Sequence, residues 1–161
     1  MSVIVEDGSL VPNANSYASE ANLIAFAAAR NITLVGNPTT LLILAMDYID
    51  ILVYKGTKRS RDQTLQWPRF GVYIDGYPID ATFMPPMLLN GQMQTALAID
   101  ANNSPQQIID RKTDKEKVGD LEVDYSKGSV VNSVDVKINA FLWKLLAGGA
   151  LGSGNINVAK G

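Results

Sequence analysis

Between residues 55 and 83 the apolar periodicity of this 161-residue sequence stops, and glycine and proline recur instead. Helix interiors tolerate these residues poorly, because proline removes a hydrogen-bond donor and glycine costs about 1 kcal/mol relative to alanine. We therefore predict a long ordered loop with helices on both sides of it, and loops of this length commonly carry function. The interrupting residues are Gly56, Pro68, Gly71, Gly76 and Pro78.

Two amphipathic helices are predicted before this loop. Ser19 is a suitable N-cap for the first helix, and Asn31 ends it. Thr39 or Thr40 can cap the second helix, and Gly56 can stop it. The apolar residues expected to face the core are Leu23, Phe26, Ala27, Leu42, Ala45, Ile49, Leu52 and Val53.

Two further helices are predicted after the loop. The pair Pro85–Pro86 opens the third, where proline in the first turn sacrifices no helical hydrogen bond, and Gly91 within it suggests a close contact. Ser133 can cap the fourth, which the pair at 148–149 ends. The expected core residues are Leu89, Met93, Ala96, Leu97, Val134, Ile138, Phe141, Leu142 and Leu145.

The remaining segments predict extended or flexible structure around this helical body. Residues 1–18 read as an extended arm with turns, and residues 108–127 alternate with period two, which indicates a β-hairpin. Residues 150–161 form a glycine-rich tail expected to be flexible. The fold class predicted is therefore mainly α: a single domain over 1–149 with about four helices, a hairpin, an extended arm and a flexible tail.

Composition excludes many kinds of chemistry. The chain has no histidine and no cysteine, so no imidazole base, thiolate nucleophile, disulfide or cysteine–histidine metal site is available. The most apolar stretch, 41–54, is shorter than a membrane span and contains Asp47 and Asp50. We therefore predict no enzyme activity, no cofactor, no metal and no membrane partner. The absence of cysteine suits a reducing cytoplasm.

One concentrated charge feature lies in the predicted loop. Five cations fall between residues 55 and 69 with only Asp62 opposing them, although the net charge of the chain is −2. The aromatic residues Trp67, Phe70 and Tyr73 follow, and Tyr77 comes next, so that single-stranded nucleic acid could bind by ion pairing and stacking. The rings could equally pack the loop onto the helices, which leaves the cations to solvent or to another subunit. The cations are Lys55, Lys58, Arg59, Arg61 and Arg69.

Several segments together resemble one family, the head-to-tail connector or adaptor proteins of long-tailed bacteriophages. Their order and spacing carry the resemblance, which covers most of the chain, and related sequences are sometimes labelled primosome-like single-stranded-DNA-binding proteins. The segments are Val3-Ile-Val-Glu-Asp-Gly8, Ala14-Asn-Ser-Tyr17, Phe26-Ala-Ala-Ala-Arg30, Ala45-Met-Asp-Tyr-Ile-Asp50, Tyr54-Lys-Gly56, Leu65-Gln-Trp-Pro-Arg69, Asp75-Gly-Tyr-Pro78, Lys115-Glu-Lys-Val-Gly119 and Val123-Asp-Tyr125.

The resemblance implies a virion protein that is assembled in the host cytoplasm and located in the neck between capsid and tail. Such proteins form a ring, usually of twelve copies, beneath the portal; the ring extends the DNA channel and offers the tail or neck proteins a docking surface. Duplex DNA would pass through without specific binding. The residues assigned to portal or subunit contact are Lys55, Lys58, Arg59, Arg61, Arg69, Trp143 and Lys144, and those assigned to nucleic-acid stacking in the alternative are Trp67, Phe70 and Tyr73.

Overall fold

The computed structural model describes residues 2–101, 117–118, 121–122 and 133–148, and of residues 117–118, 121–122 and 133–136 it describes the backbone. The described part is mainly α-helical with short antiparallel strand pairs, as the sequence predicts. The helices are α1 (Glu20–Ala28), α2 (Pro38–Ile49), α3 (Pro86–Asp100) and α4 (Ser133–Leu142), and the strands are β1 (Thr57–Lys58), β2 (Arg69–Phe70), β3 (Tyr73–Ile74), β4 (Tyr77–Pro78), β5 (Lys117–Val118) and β6 (Leu121–Glu122).

Helix α3 is the central element of the helical body. Helices α2 and α4 both pack on α3, and α1 packs on α2 and α3. The sequence suggests a close contact at Gly91, and the structure confirms it, since a Cβ there would lie 2.5 Å from Cδ2 of Leu142. The missing side chain therefore allows α4 to approach α3 closely.

The helix ends follow local hydrogen bonding. Ser19 caps α1 as predicted, and its hydroxyl accepts a hydrogen bond from the backbone N–H of Asn22. For α2 the prediction of Thr39 or Thr40 is wrong, because the side chain of Asn37 accepts from the backbone of Thr40 and Pro38 takes the first helical position.

The predicted stop of α2 is also too late. The helix ends at Ile49, with Asp50 as its C-cap, and Gly56 instead occupies a later turn with a φ of +71°. Glycine is needed there because a Cβ would lie 2.1 Å from the carbonyl oxygen of Phe70.

Residues 55–83 form an ordered loop, as predicted, but contain two small strand pairs that the sequence did not indicate. β1 pairs with β2, and β3 pairs with β4, both antiparallel. The second pair turns at Asp75 and Gly76, whose φ values of 53° and 86° suit the two central positions of a type I′ turn. Strands of two residues are too short to produce a recognisable alternating pattern.

The core consists of two apolar clusters that share α3. One joins α3 to α4 and the loop around Trp67, and the other joins α3 to α1 and α2. Gln92 is fully buried between the N-terminal segment and α2. Its amide oxygen accepts from the backbone N–H groups of Tyr17 and Ala18, each at 2.9 Å, and its nitrogen donates to the Ser16 hydroxyl at 2.7 Å and to the Leu42 carbonyl at 3.1 Å.

The N-terminal arm predicted for residues 1–18 folds back on its own chain. Its tightest turn is organised by the buried carboxylate of Glu6, which accepts from the backbone N–H groups of Gly8, Leu10 and Val11 at 2.8–3.0 Å. Val5 forms a parallel bridge with Ser16. A sequence pattern of short turns does not reveal such a carboxylate, because its partners are all backbone groups.

Only part of the predicted hairpin over 108–127 falls within the described residues. Lys117 pairs with Glu122 and Val118 with Leu121, which is the antiparallel pairing across residues 119–120 that the sequence predicts. The rest of that segment, and the predicted tail at 150–161, lie outside the described residues.

Candidate interaction surface

Three of the five loop cations bind backbone carbonyls of the same chain. Lys55 Nζ donates to the carbonyl of Lys144 at 2.8 Å, and Arg59 Nη1 donates to that of Gly8 at 2.7 Å. Arg69 is buried and is used in the same way. Arg59 thus holds the loop onto the arm, Lys55 holds it onto the end of α4, and Arg69 binds carbonyls within the loop itself.

Arg69 forms the most extensive of these contacts. Its Nε donates to the carbonyl of Lys55 and its Nη2 to that of Gly56, both at 2.7 Å. Its Nη1 donates to the backbone and side-chain oxygens of Gln66 at 3.1 and 3.0 Å. Burial lowers the pKa of this guanidinium below its ordinary value. Because its donors are bound within the chain, Arg69 is not available for the portal or subunit contact that the sequence predicted for it.

The other two loop cations remain available. Arg61 is exposed and Lys58 is partly buried, and neither forms an ion pair or hydrogen bond with the described residues. Lys58 is the last residue of β1, and Arg61 lies in the turn that follows that strand. The loop therefore offers two free cations where the sequence suggested five.

The aromatic residues of the loop divide between core and surface. Trp67 is 0% exposed and packs edge-on against Tyr54, with ring centroids 6.2 Å apart, so it cannot stack on a base in this fold. Phe70 and Tyr73 are exposed, and Tyr77 is 75% exposed. Three rings thus remain for a partner, one of which, Tyr77, was noted in the sequence but not assigned to a contact.

Three polar side chains beneath the loop, those of Tyr17, Asp50 and Tyr54, are hydrogen-bonded within the chain. Asp50 accepts from the Tyr17 hydroxyl at 3.2 Å and from the backbone N–H of Gln66 at 2.9 Å, and the Tyr54 hydroxyl donates to the carbonyl of Ile49 at 2.9 Å. Burial raises the pKa of both tyrosines, and the Asp50 carboxylate adds to the effect. Asp50 thus ties the loop to the arm.

The end of α4 meets the β3–β4 hairpin. Lys144 Nζ lies 2.7 Å from Oδ2 of Asp75 at the hairpin turn, and 5.6 Å from the centre of the Trp143 ring. Trp143 is 48% exposed and is therefore accessible to a partner. Residues 145–147 then pair antiparallel with 53–55 through Tyr54 and Leu146.

Several large apolar side chains also face outward, and the sequence did not assign them to the surface. Val53 was expected on the buried stripe of α2, but α2 has already ended at Ile49 and Val53 is exposed. Val35 is 91% exposed in the turn before α2. The exposure of Val53 could have been predicted only by knowing that α2 ends at Ile49. The exposed aliphatic side chains are Ile4, Ile24, Ile32, Val35, Leu44, Ile51 and Val53.

The described residues offer neither a cluster of metal ligands nor a membrane-spanning helix. No group of three or more acidic side chains lies together as a metal site would require. None of the described helices is long and apolar enough to cross a bilayer.

The family model described as "Putative DnaT-like ssDNA binding protein" matches residues 1–161, which is the whole chain. This chain belongs to that family. No curated protein and no solved structure matches it. This description of the DnaT-like family agrees with the label, primosome-like single-stranded-DNA-binding protein, that is sometimes given to sequences related to the connector family. It names no phage structure, so the connector role stays a prediction.

Proposed function

We propose that this chain is a structural subunit of a phage neck, the head-to-tail connector that forms a ring under the portal, extends the DNA channel and presents a docking surface to the tail. In this role the chain acts through the surfaces that contact other copies of itself and the portal. The sequence resemblance supports this proposal, as does the pattern of exposed apolar side chains described above.

The observation that carries the proposal is the separation of exposed apolar groups on the molecule. Val35 lies beside the C-terminal end of α3, because its backbone N–H donates to Asp100 at 3.0 Å. Tyr73 lies in the loop that leads into the N-terminal end of α3, and the carbonyl of its neighbour Val72 accepts from the backbone N–H of Ile79 at 2.8 Å. That helix has 15 residues and is therefore about 22 Å long. A ring requires two different, complementary faces on each copy, and well-separated apolar patches suit that requirement.

The use of charge supports assembly over nucleic-acid binding. Polyanion affinity depends on the number of phosphates that lysine and arginine neutralise. Lys55, Arg59 and Arg69 are engaged by carbonyl oxygens of the chain, and the net charge is −2. DNA could therefore pass through a channel without being held strongly.

Tail-less heads that carry a portal provide the direct test. Purified protein is mixed with such heads, unbound protein is removed by sedimentation, and the portal vertex is imaged by electron microscopy. We expect a ring of added density at that vertex alone. Heads without added density overturn the connector role.

The contact residues can be tested in the same assay. Replacing Lys58 and Arg61 together by Glu is expected to reduce attachment of the protein to the portal. Neither side chain is bound by another described residue of the chain, so both cations are available to a partner. Arg59 is left intact, because its contact with Gly8 means that its loss would disturb the fold. Unchanged attachment of the double variant removes these two cations from the portal contact.

A second candidate function is single-stranded-DNA binding, favoured by the family's description and by the exposed rings of Phe70, Tyr73 and Tyr77. Stacking on such rings contributes about 1–3 kcal/mol per base. Fluorescence anisotropy with a labelled oligothymidylate would show binding that weakens steeply with salt. Tyr73→Ala should weaken that binding by roughly tenfold or more. Val35→Ala serves as the control, because it removes an exposed apolar side chain that carries no ring and lies near Asp100.

A further inference from the structure

Two helices present exposed stripes that nothing in the described chain covers. On α2, Leu44 and Asp47 are three residues apart and exposed, and Ile51, two residues past the end of the helix, is 71% exposed. Two apolar side chains thus flank one carboxylate. We call these three residues the α2 stripe.

The second stripe lies on α4. Lys137, Ala140 and Trp143 are exposed and follow one another at spacings of three. We call these three residues the α4 stripe. It offers a cation at one end, an aromatic ring at the other, and a small residue between them that leaves room for a neighbouring side chain.

The two stripes belong to different helices of the helical body. α2 and α4 each pack on α3 but do not pack on each other. On α3, Gln92 faces α2 through its bond to the Leu42 carbonyl, while Gly91 faces Leu142 of α4. One copy therefore cannot bring its two stripes together, whereas two copies can.

The charges of the stripes complement each other. The side chains of Asp47 and Lys137 form no ion pair or hydrogen bond with the described residues of the chain. Each stripe covers about the same length, since seven or eight helical residues span about 10–12 Å. An acid flanked by apolar side chains on one face can thus meet a base and a tryptophan on the other.

We propose that the α2 stripe of one copy docks on the α4 stripe of the next, with Asp47 facing Lys137 and Trp143 packing among the apolar side chains of α2. The occupant of each stripe is a second copy of this chain. The contact is heterologous, the kind of contact that generates a ring when the rotation from one copy to the next closes. This inference rests on the proposed assembly function and identifies the surfaces that carry it.

Charge exchange tests the contact. Asp47→Lys and Lys137→Asp each place like charges opposite one another, and each is expected to weaken self-association by about a hundredfold. Mass photometry over a concentration series measures this, and thermal melting verifies that each variant is folded. Asp62→Lys makes the same charge change on the exposed loop and should assemble like the wild type.

Mixing the two variants gives the decisive result. In an equimolar mixture every contact can again join opposite charges, because Asp47 of one variant meets Lys137 of the other, and the two exchanged residues meet likewise. We expect the mixture, and also the double variant, to recover oligomers of wild-type mass. Failure of both to recover overturns the proposed contact.

The same experiment separates this contact from the proposed function. Wild-type oligomers that are indifferent to both single exchanges overturn the contact and leave the connector role standing. A wild-type chain that is monomeric at all concentrations and also fails to add density at the portal vertex overturns the function and the contact with it.

Discussion

Replacing Gln92 by Leu should destabilise the fold more than its similar size suggests. Gln92 is fully buried and both of its amide atoms are saturated, with two acceptor contacts and two donor contacts. Leucine fills a comparable volume but offers no polar atom. The backbone N–H of Tyr17 then has no other acceptor among the described residues, whereas Ala18 keeps the Ser16 hydroxyl at 3.2 Å.

The size of the expected loss of stability follows from the hydrogen bonds that Gln92→Leu removes. One orphaned buried N–H costs about 1–3 kcal/mol, and each weakened hydrogen bond costs about 1 kcal/mol. The added apolar burial of leucine offsets about 1 kcal/mol. We expect a loss of about 2–4 kcal/mol in the free energy of unfolding, measured by urea denaturation, with a fall in Tm of roughly 5–15 °C.

Gln94→Leu is the matched control, because Gln94 lies on the same helix, is only partly buried and makes no hydrogen bond to the described residues. It should change stability by less than about 0.5 kcal/mol. Equal effects of the two substitutions would refute the importance of the buried network at Gln92.

Gln92→Glu adds a second measurement of the same site. Burial raises the pKa of a carboxyl group, so the folded state of this variant favours the protonated form. The variant should therefore be more stable at pH 5 than at pH 8.

Three further predictions concern packing, pH and the loop. Gly91→Ala should lower stability by about 1–3 kcal/mol in urea denaturation despite better helix propensity, because its Cβ meets Leu142; in a Leu142→Ala background it should have no such cost. The raised pKa of Tyr17 and Tyr54 means that the unfolded state ionises first, so stability should be complete below pH 10 and fall above it; the slope of stability against pH should decrease in Tyr54→Phe. Arg69→Lys should cost about 2–4 kcal/mol, since one ammonium cannot replace donors to several carbonyls, whereas Arg61→Lys should change nothing measurable; thermal melts compare the two.

Much of the helical architecture was predictable from local patterns, because side-chain periodicity and capping are local. The Ser19 cap, the opening of α3 near Pro86 and the close contact at Gly91 were all read from neighbouring residues. The fate of the loop cations was not predictable. Arg69 and Arg61 look alike in the sequence, and what separates them is a set of backbone carbonyls brought together by the fold.

The internal use of these cations has a consequence for how the two candidate functions respond to salt. Binding to a polyanion weakens steeply as salt rises, because condensed counterions must be released. The association proposed through Leu44, Ile51 and Trp143 would depend mainly on apolar burial, which salt weakens little. The proposed pair of Asp47 and Lys137 would add only a modest contribution that salt screens. A surface built this way suits an assembly that must persist at varied ionic strength while DNA moves past it.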